Sequence, residues 1–239
     1  MTNRTLLNNV DHHDLKVAVR YGAEFGDSVN QMLVFPSEFE ELQREFPILF
    51  RRGSEGALMA VVLLGLDLDE NLFLDEAGWQ SRYVPAIQRR GPFLIGLSRR
   101  EGAAGEPMIH VDLDDPRVGR GEGGALFLPH GGNAPYLEQV AAALRTDYQG
   151  TELVQPMFAA FEALELLRPV TIEIQLDDTR LYSLPDHFTI DEERLASLNG
   201  AGLEQLHRAG FLRAAFHVAA SLGNIARLIE LKNRKNPAG

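Results

Sequence analysis

Hydrophobic residues in the first half of the chain fall into short runs with turn-sized polar gaps between them. Such runs lie at 48–50, 58–66, 93–97 and 108–113. Short apolar runs with turns between them are typical of antiparallel strands. The run 58–66 is apolar on both faces, as expected of a central strand. The first half therefore predicts an antiparallel sheet.

The second half shows mainly helical spacing. From Asn133, a possible N-cap, apolar residues recur on one face as far as Leu144, and a second helix is predicted over 152–167. Isoleucines alternate with polar residues around an Asp-Asp turn, which predicts a hairpin over 170–184. Further helices are predicted near 189–199, 203–209 and 214–232.

Two stretches carry specific local signals. Ser37 and Glu40 have the spacing of a capping box and predict a helix that ends before Pro47. Residues 101–135 hold 12 of the 34 glycines and prolines, so this stretch is predicted to be a long loop, either mobile or functional.

Together these elements predict an α+β fold. A largely antiparallel sheet from the first half and the 170–184 hairpin is expected to pack against helices concentrated in the C-terminal half. A chain of 239 residues can bury one sizeable core. We predict a single domain over 15–233, an N-terminal segment 1–14 that can be flexible, and a flexible tail 234–239.

Composition excludes several kinds of function. The chain has no cysteine, which excludes disulfides, thiolate metal sites and a cysteine nucleophile. Its 23 basic and 34 acidic residues give a formal charge of −11, which argues against nucleic-acid binding. Both halves are similarly acidic, and the last predicted helix is the basic exception.

No targeting or membrane signal is evident. The longest nearly uninterrupted apolar run, 57–66, is about half of the roughly 20 residues that a membrane-spanning helix needs. The N-terminal residues lack a basic start followed by an apolar core, so we expect no signal peptide, no membrane insertion and a cytoplasmic location.

His110 and Asp112 are the pair of residues in the sequence that most resembles part of a metal-binding site. Residues two apart in a strand share a face, so the pair could supply two ligands of a non-haem iron site. A third ligand could come from His130, His187 or His217. The alternative is an ordinary surface strand that ends in an acidic turn.

Nucleotide cofactors have weaker support. The glycine-rich stretch 118–124 is followed by an extended segment and not by the helix that a dinucleotide site requires. A P-loop motif is absent from the sequence. We therefore predict no cofactor.

Two groups of basic residues are candidates for binding a partner. Arg89 and Arg90 could grip a carboxylate or phosphate, and Arg227 and Lys232 could dock an acidic partner. The alternatives are surface ion pairs and favourable interactions with a helix dipole. The expected partner is another protein or a second copy of the chain.

Ten short segments, each with its own sequence, are spread over nearly the whole chain. They read VFPSEF (34–39), EFPILF (45–50), LLGL (63–66), NLFL (71–74), YVPA (83–86), RRGPF (89–93), DLDDPR (112–117), PYL (135–137), FTIDE (188–192) and SLGN (221–224). Their order and spacing, from about residue 15 to 233, resemble the SapC family of bacterial proteins. Gly91 departs from the family pattern, which more often has an aromatic residue before the Pro-Phe pair.

The resemblance implies a biology linked to bacterial surface layers, export or outer-membrane uptake systems, and it brings no catalytic residues. We therefore expect a non-enzymatic accessory or protein-binding protein. The alternative is a non-haem iron oxygenase or related metalloenzyme that uses His110 and Asp112.

Overall fold

The computed structural model describes residues 3–97, 106–177 and 179–235. The chain forms two compact units, and each is built from two separate stretches. Unit 1 comprises Met1–Tyr21 and Ala86–Tyr148, and unit 2 comprises Gly22–Pro85 and Gln149–Gly239.

The strands of the described residues range in length from two to ten residues. In chain order they are β1 (Arg4–Leu6), β2 (Lys16–Val17), β3 (Gln31–Val34), β4 (Ile48–Arg52), β5 (Leu58–Leu63), β6 (Leu74–Asp75), β7 (Gly78–Trp79), β8 (Phe93–Leu97), β9 (Pro107–Asp112), β10 (Val118–Gly119), β11 (Gly124–Ala125), β12 (Leu167–Gln175) and β13 (Leu181–Ile190).

Most of the helical residues follow residue 133. The α-helices are α1 (Phe39–Leu42), α2 (Ala86–Arg89), α3 (Pro135–Ala163), α4 (Glu192–Ala196), α5 (Gly200–Arg208), α6 (Leu212–Ser221) and α7 (Ile225–Lys235). Short 3₁₀ turns lie at Ala23–Phe25, Pro36–Glu38 and Leu222–Asn224.

Unit 1 holds two small antiparallel sheets. One has the strand order β1-β9-β8 and the other the order β10-β2-β11. Eight of its buried apolar side chains form one cluster, contributed by three strands, by Leu15 and Leu126, and by the first turns of α3: Leu15, Val17, Phe93, Val111, Leu126, Leu137, Val140 and Leu144.

Unit 2 is built on a five-stranded antiparallel sheet with the order β12-β13-β4-β5-β3. Phe50, on β4, is fully buried and meets two rings of α3, Phe158 edge-on at 5.0 Å and Phe161 at 6.0 Å. Ser221, at the end of α6, accepts the backbone N–H of Ile48 at 2.9 Å. The sheet therefore packs against helices, and the predicted α+β class is confirmed.

The two helices predicted over 133–144 and 152–167 are one continuous helix, α3. Gly150 lies between the two predicted helices, and in the structure it is inside α3. A Cβ added there would lie 2.3 Å from the Cβ of Phe35, so the glycine allows α3 to approach Phe35 closely. Pro156 also lies inside the helix.

The predicted capping box at Ser37 and Glu40 is wrong by two residues. Phe35 occupies the N-cap position, Pro36 is the first residue of the turn, and Glu38 accepts the Phe35 N–H at 3.1 Å. Proline favours this first position because its missing N–H would have no helical partner there.

The stretch 101–135 is not one long loop. Strands β9, β10 and β11 lie inside it, while residues 101–105 lie outside the described part of the chain. Residues 236–239 of the predicted tail also lie outside it. The single domain over 15–233 and the segment 1–14 stay predictions, although Arg4–Leu6 within that segment pairs with β9.

Candidate functional site

Unit 1 contains a pocket of about 190 Å³. Its lining combines guanidinium groups, phenols and carboxamides with small apolar side chains. The lining residues are Ala18, Val19, Arg20, Tyr21, Gln88, Arg89, Gly91, Pro92, Arg117, Tyr136, Gln139 and Val140.

Backbone geometry brings these residues together. The segment after β2 is held by the N–H of Ala18, which donates to the carbonyl of Arg117 at 2.9 Å. The turn between α2 and β8 depends on Gly91, whose φ of 55° favours glycine. Tyr136 lies at the start of α3, and a Cβ on Gly124 would lie 3.2 Å from its side chain.

The charges of the lining have one sign. Three of the twelve residues are arginines and none is acidic, in a chain whose formal charge is −11. Arg117 is held by Asp115 just outside the lining: Nε lies 2.9 Å from Oδ1, and Nη2 lies 2.7 Å from Oδ2. This two-point contact fixes the plane of the guanidinium group.

Two pKa shifts follow from this arrangement. Burial raises the pKa of Asp115, but hydrogen bonds from Arg117 outweigh it and the net pKa is lowered. Burial, with Tyr21 nearby, raises the pKa of Tyr136 to about 12. The phenol of Tyr136 therefore keeps its proton at neutral pH and can donate a hydrogen bond.

The pocket is suited to a small oxygen anion. Guanidinium and phenol groups supply donors, and Val19, Pro92 and Val140 form apolar walls. A volume of about 190 Å³ lies below the range of drug-sized ligand pockets. It is large enough for one charged group and the few atoms that carry it.

Of the two arginines predicted for ligand binding, the structure places only Arg89 in this pocket. Arg90 lies beside Asp147, with Nε to Oδ2 at 3.6 Å, and its Nε donates to the carbonyl of Ile87 at 3.2 Å. The two neighbours in sequence therefore have different surroundings.

Lys232, predicted to bind a partner, is buried in unit 2. Its side chain is 1 % exposed, and its ammonium group donates to Asp67 at 2.5 Å and to Glu70 at 2.7 Å. Burial lowers the pKa of Lys232, but these two carboxylates outweigh it and the net pKa is raised. In this conformation Lys232 offers no charge to a partner.

Arg227 is accessible and lies 3.3 Å from Glu45. Its side chain is 43 % exposed and lines a second pocket, in unit 2.

The His110–Asp112 pair lies on β9 as predicted. The Nδ1 of His110 is 3.3 Å from the Met108 carbonyl, and its ring packs over Gly96. Asp112 accepts the N–H of Asp114 at 3.2 Å and lies 3.9 Å from Arg4. Within residues 3–97, 106–177 and 179–235, no group of three or more His, Asp or Glu is placed to hold a metal ion. The metal site stays a prediction.

The other suggested iron ligands belong to both units. His130 lies exposed in unit 1, whereas His187 and His217 belong to unit 2. His187 is buried, with Nδ1 2.7 Å from the Pro185 carbonyl and Nε2 3.3 Å from Gln31.

Sequence reasoning missed Tyr21, Arg117, Tyr136, Gln88 and Gln139 as members of a site. For Arg117 and Tyr136, the segments that carry the family resemblance were an available signal. Arg117 ends the segment DLDDPR, Tyr136 is the centre of PYL, and RRGPF supplies Arg89, Gly91 and Pro92. Three segments that carry the family resemblance therefore meet at this pocket.

Other such segments meet in unit 2. Tyr83 of YVPA donates to Glu38 of VFPSEF at 2.9 Å. Asn224 of SLGN donates to the carbonyls of Gln43 at 2.8 Å and Phe46 at 3.2 Å, beside and within EFPILF. These segments stabilise the fold of unit 2.

Comparison with known proteins gives one positive result. No curated protein and no solved structure matches the chain. No helix in the described part of the chain is long and apolar enough to cross a membrane. A model of the SapC family matches residues 7–228, which include parts of both units. The chain therefore belongs to the SapC family.

Proposed function

We propose that this protein is a non-enzymatic accessory protein that binds a partner, and that the unit 1 pocket receives a carboxylate group of that partner. The observation that carries the proposal is the lining itself, with three arginines and no acidic residue in a strongly acidic chain.

A carboxylate fits the shape and chemistry of the pocket. The fork of a guanidinium group matches the two oxygens of a carboxylate, and the neutral phenol of Tyr136 adds a donor. The apolar walls can accept the short carbon stem of an acidic side chain or of a carboxy terminus.

The lining favours binding over catalysis. It contains no histidine, serine, threonine or carboxylate among its twelve residues, so it offers no ordinary general base or activated nucleophile. The raised pKa of Tyr136 makes its phenol a poor base at neutral pH.

The SapC resemblance directs the choice of partner. It links the family to surface layers, export and outer-membrane uptake, so we propose a protein of such a system as the partner. A second copy of the chain is the other partner to test, by measuring whether the oligomeric state changes in Arg89→Gln.

The proposal is tested by titrating the protein with N-acetylalanine and with N-acetylalaninamide, which differ in their carboxylate and carboxamide ends. We expect the acid to bind and the amide not to bind. Arg89→Gln should weaken binding at least tenfold, as expected for loss of a charge-assisted contact. Arg208→Gln, which removes an exposed arginine paired with Glu204 in unit 2, should not.

Equal binding of acid and amide, or equal loss in both variants, would contradict the assignment. Circular dichroism of each variant checks that the fold is retained.

A further inference from the structure

Unit 2 contains a second pocket rich in arginine. It has a volume of about 200 Å³ and is lined by Glu41, Arg44, Glu45, Arg82, Tyr83 and Arg227. None of its residues belongs to unit 1.

Both oxygens of Glu45 are engaged within the protein. Its side chain is only 9 % exposed, Oε1 lies 3.3 Å from Arg227, and Oε2 accepts the backbone N–H of Arg82 at 2.8 Å. Arg227 also lies over the ring of Phe73 at 5.7 Å. These contacts form a fixed, neutralised wall.

The other two arginines are held more weakly. Arg44 pairs with Glu41 at 3.1 Å, but the two side chains are 56 % and 46 % exposed, and exposed pairs of this kind contribute about 0–1 kcal/mol. Arg82 is an exposed residue whose guanidinium group makes no ion pair with any described residue, while its backbone N–H donates to Glu45.

We propose that this pocket binds a phosphoryl group, with Arg82 and Arg44 as its main ligands. Arg82 is already available, and Arg44 can turn from Glu41 to a ligand at small cost. With Glu45 neutralised by Arg227, the remaining charged groups of the lining are Arg44, Arg82 and Glu41, and the two guanidinium groups suit an anion with several acceptor oxygens.

A carboxylate satisfies this arrangement less well, because its two oxygens offer fewer acceptor sites and less negative charge than the three oxygens of a phosphoryl group. Phosphate esters of small molecules and phosphorylated side chains of proteins present the same chemistry, so the experiment includes both.

The test titrates inorganic phosphate at pH 7.5 and constant ionic strength, with acetate as the carboxylate probe and chloride as the salt control. We expect the phosphate binding that depends on Arg82 to amount to one phosphate per chain, with acetate at least tenfold weaker at this pocket. Arg82→Gln should weaken phosphate binding at least tenfold, and Arg44→Gln should weaken it severalfold. Arg208→Gln should leave it unchanged.

Glycerol phosphate and a short phosphoserine peptide then identify the source of the group. Tighter binding of the peptide would assign the pocket to a phosphorylated protein, and tighter binding of the ester would assign it to a small molecule.

Phosphate binding that Arg82→Gln and Arg208→Gln weaken equally would overturn the proposal, as would binding no stronger than that of chloride. Binding that persists in Arg82→Gln but is lost in Arg89→Gln would place the anion in unit 1. That result would overturn the unit 2 site while leaving the unit 1 pocket as an anion site.

Discussion

The ammonium group of Lys232 lies 2.7 Å from the carboxylate of Glu70, and the lysine side chain is almost completely buried. Asp67 accepts from the same ammonium group. On the neighbouring turn, Lys235 donates to the carbonyls of Asn71 and Leu74, both at 2.9 Å. Lys232, which the sequence suggested for a partner, and Lys235 therefore hold α7 against the segment 67–74.

Lys232→Met should destabilise unit 2 by about 3 kcal/mol, because it leaves the largely buried carboxylate of Glu70 without its cation. Urea unfolding followed by the fluorescence of Trp79, the only tryptophan, measures this change. Arg234→Met, on the same helix, removes an exposed arginine 4.0 Å from Glu230 and should cost less than about 0.5 kcal/mol. Equal losses in the two variants would show that the buried contact is unimportant.

His217 should make unit 2 less stable in mild acid. Burial and then Arg213 lower its pKa, Glu40 opposes them, and Arg44 adds to the lowering. The unfolded chain therefore binds a proton at higher pH than the folded protein does. Stability should fall as pH drops from about 6.5, the ordinary histidine value, towards the lowered pKa.

His217→Gln should remove this part of the pH dependence, whereas His207→Gln, at an exposed position of α5, should retain it. Urea unfolding at pH 5 and at pH 7.5 provides the comparison. An unchanged slope in His217→Gln would contradict the prediction.

Asp115 should stabilise unit 1 through its contact with Arg117, whose side chain is only 9 % exposed. Because the pKa of Asp115 is lowered in the folded state, this contribution is present above about pH 3.9 and is lost as pH falls through the lowered value. Asp115→Asn should lower the free energy of unfolding of unit 1 by about 3 kcal/mol at neutral pH. It should also weaken the dependence of that free energy on pH below about 4.

Amide hydrogen exchange of unit 1 provides the measurement, for example at Asp112, whose N–H donates to the Pro92 carbonyl at 3.0 Å. Asp114→Asn is the control, since among the described residues Asp114 accepts only the N–H of Asn3, at an exposed position. Similar exchange in both variants would argue against the Asp115 contact.

Gly150→Ala should destabilise unit 2 although alanine is the better helix former by about 1 kcal/mol. The added Cβ would lie 2.3 Å from Phe35 and 2.8 Å from Ser37, and overpacking of this kind typically costs about 1–3 kcal/mol. Gly223→Ala has no atom within 4 Å of the new Cβ and should be neutral within about 0.5 kcal/mol. The midpoints of thermal unfolding of the two variants show whether the clash at residue 150 outweighs the gain in helix propensity.

Local patterns predicted much of the fold. The strand 93–97 agrees with β8 at both ends, and the two arms of the 170–184 hairpin lie in β12 and β13, which extend beyond it. These elements were predictable because their patterns, an apolar run and an alternation of apolar and polar residues, are contained in a few neighbouring residues. The continuity of α3 through Gly150 was not predictable in this way. The close approach at Gly150 depends on Phe35, which is more than a hundred residues earlier.

The candidate site was harder to predict for the same physical reason. Arg89 was identified from its own dipeptide, but Arg117 and Tyr136 became candidates only when folding brought three separate segments together. Lys232 shows the opposite error, because the sequence predicted it to bind a partner and the structure buries it. Its charge suggested an exposed surface, whereas the carboxylates that bury and neutralise it lie far away in sequence.

The discontinuous make-up of each unit has a consequence for synthesis on the ribosome. Strands β3, β4 and β5 are complete by residue 63, but β13, which pairs with β4, ends at residue 190. At translation rates of about 5–20 residues per second, β4 waits on the order of ten seconds for its neighbour. During that interval its open edge can pair with another nascent chain. A chain terminated at residue 148 would retain both stretches of unit 1 but lack two of the five strands of the unit 2 sheet.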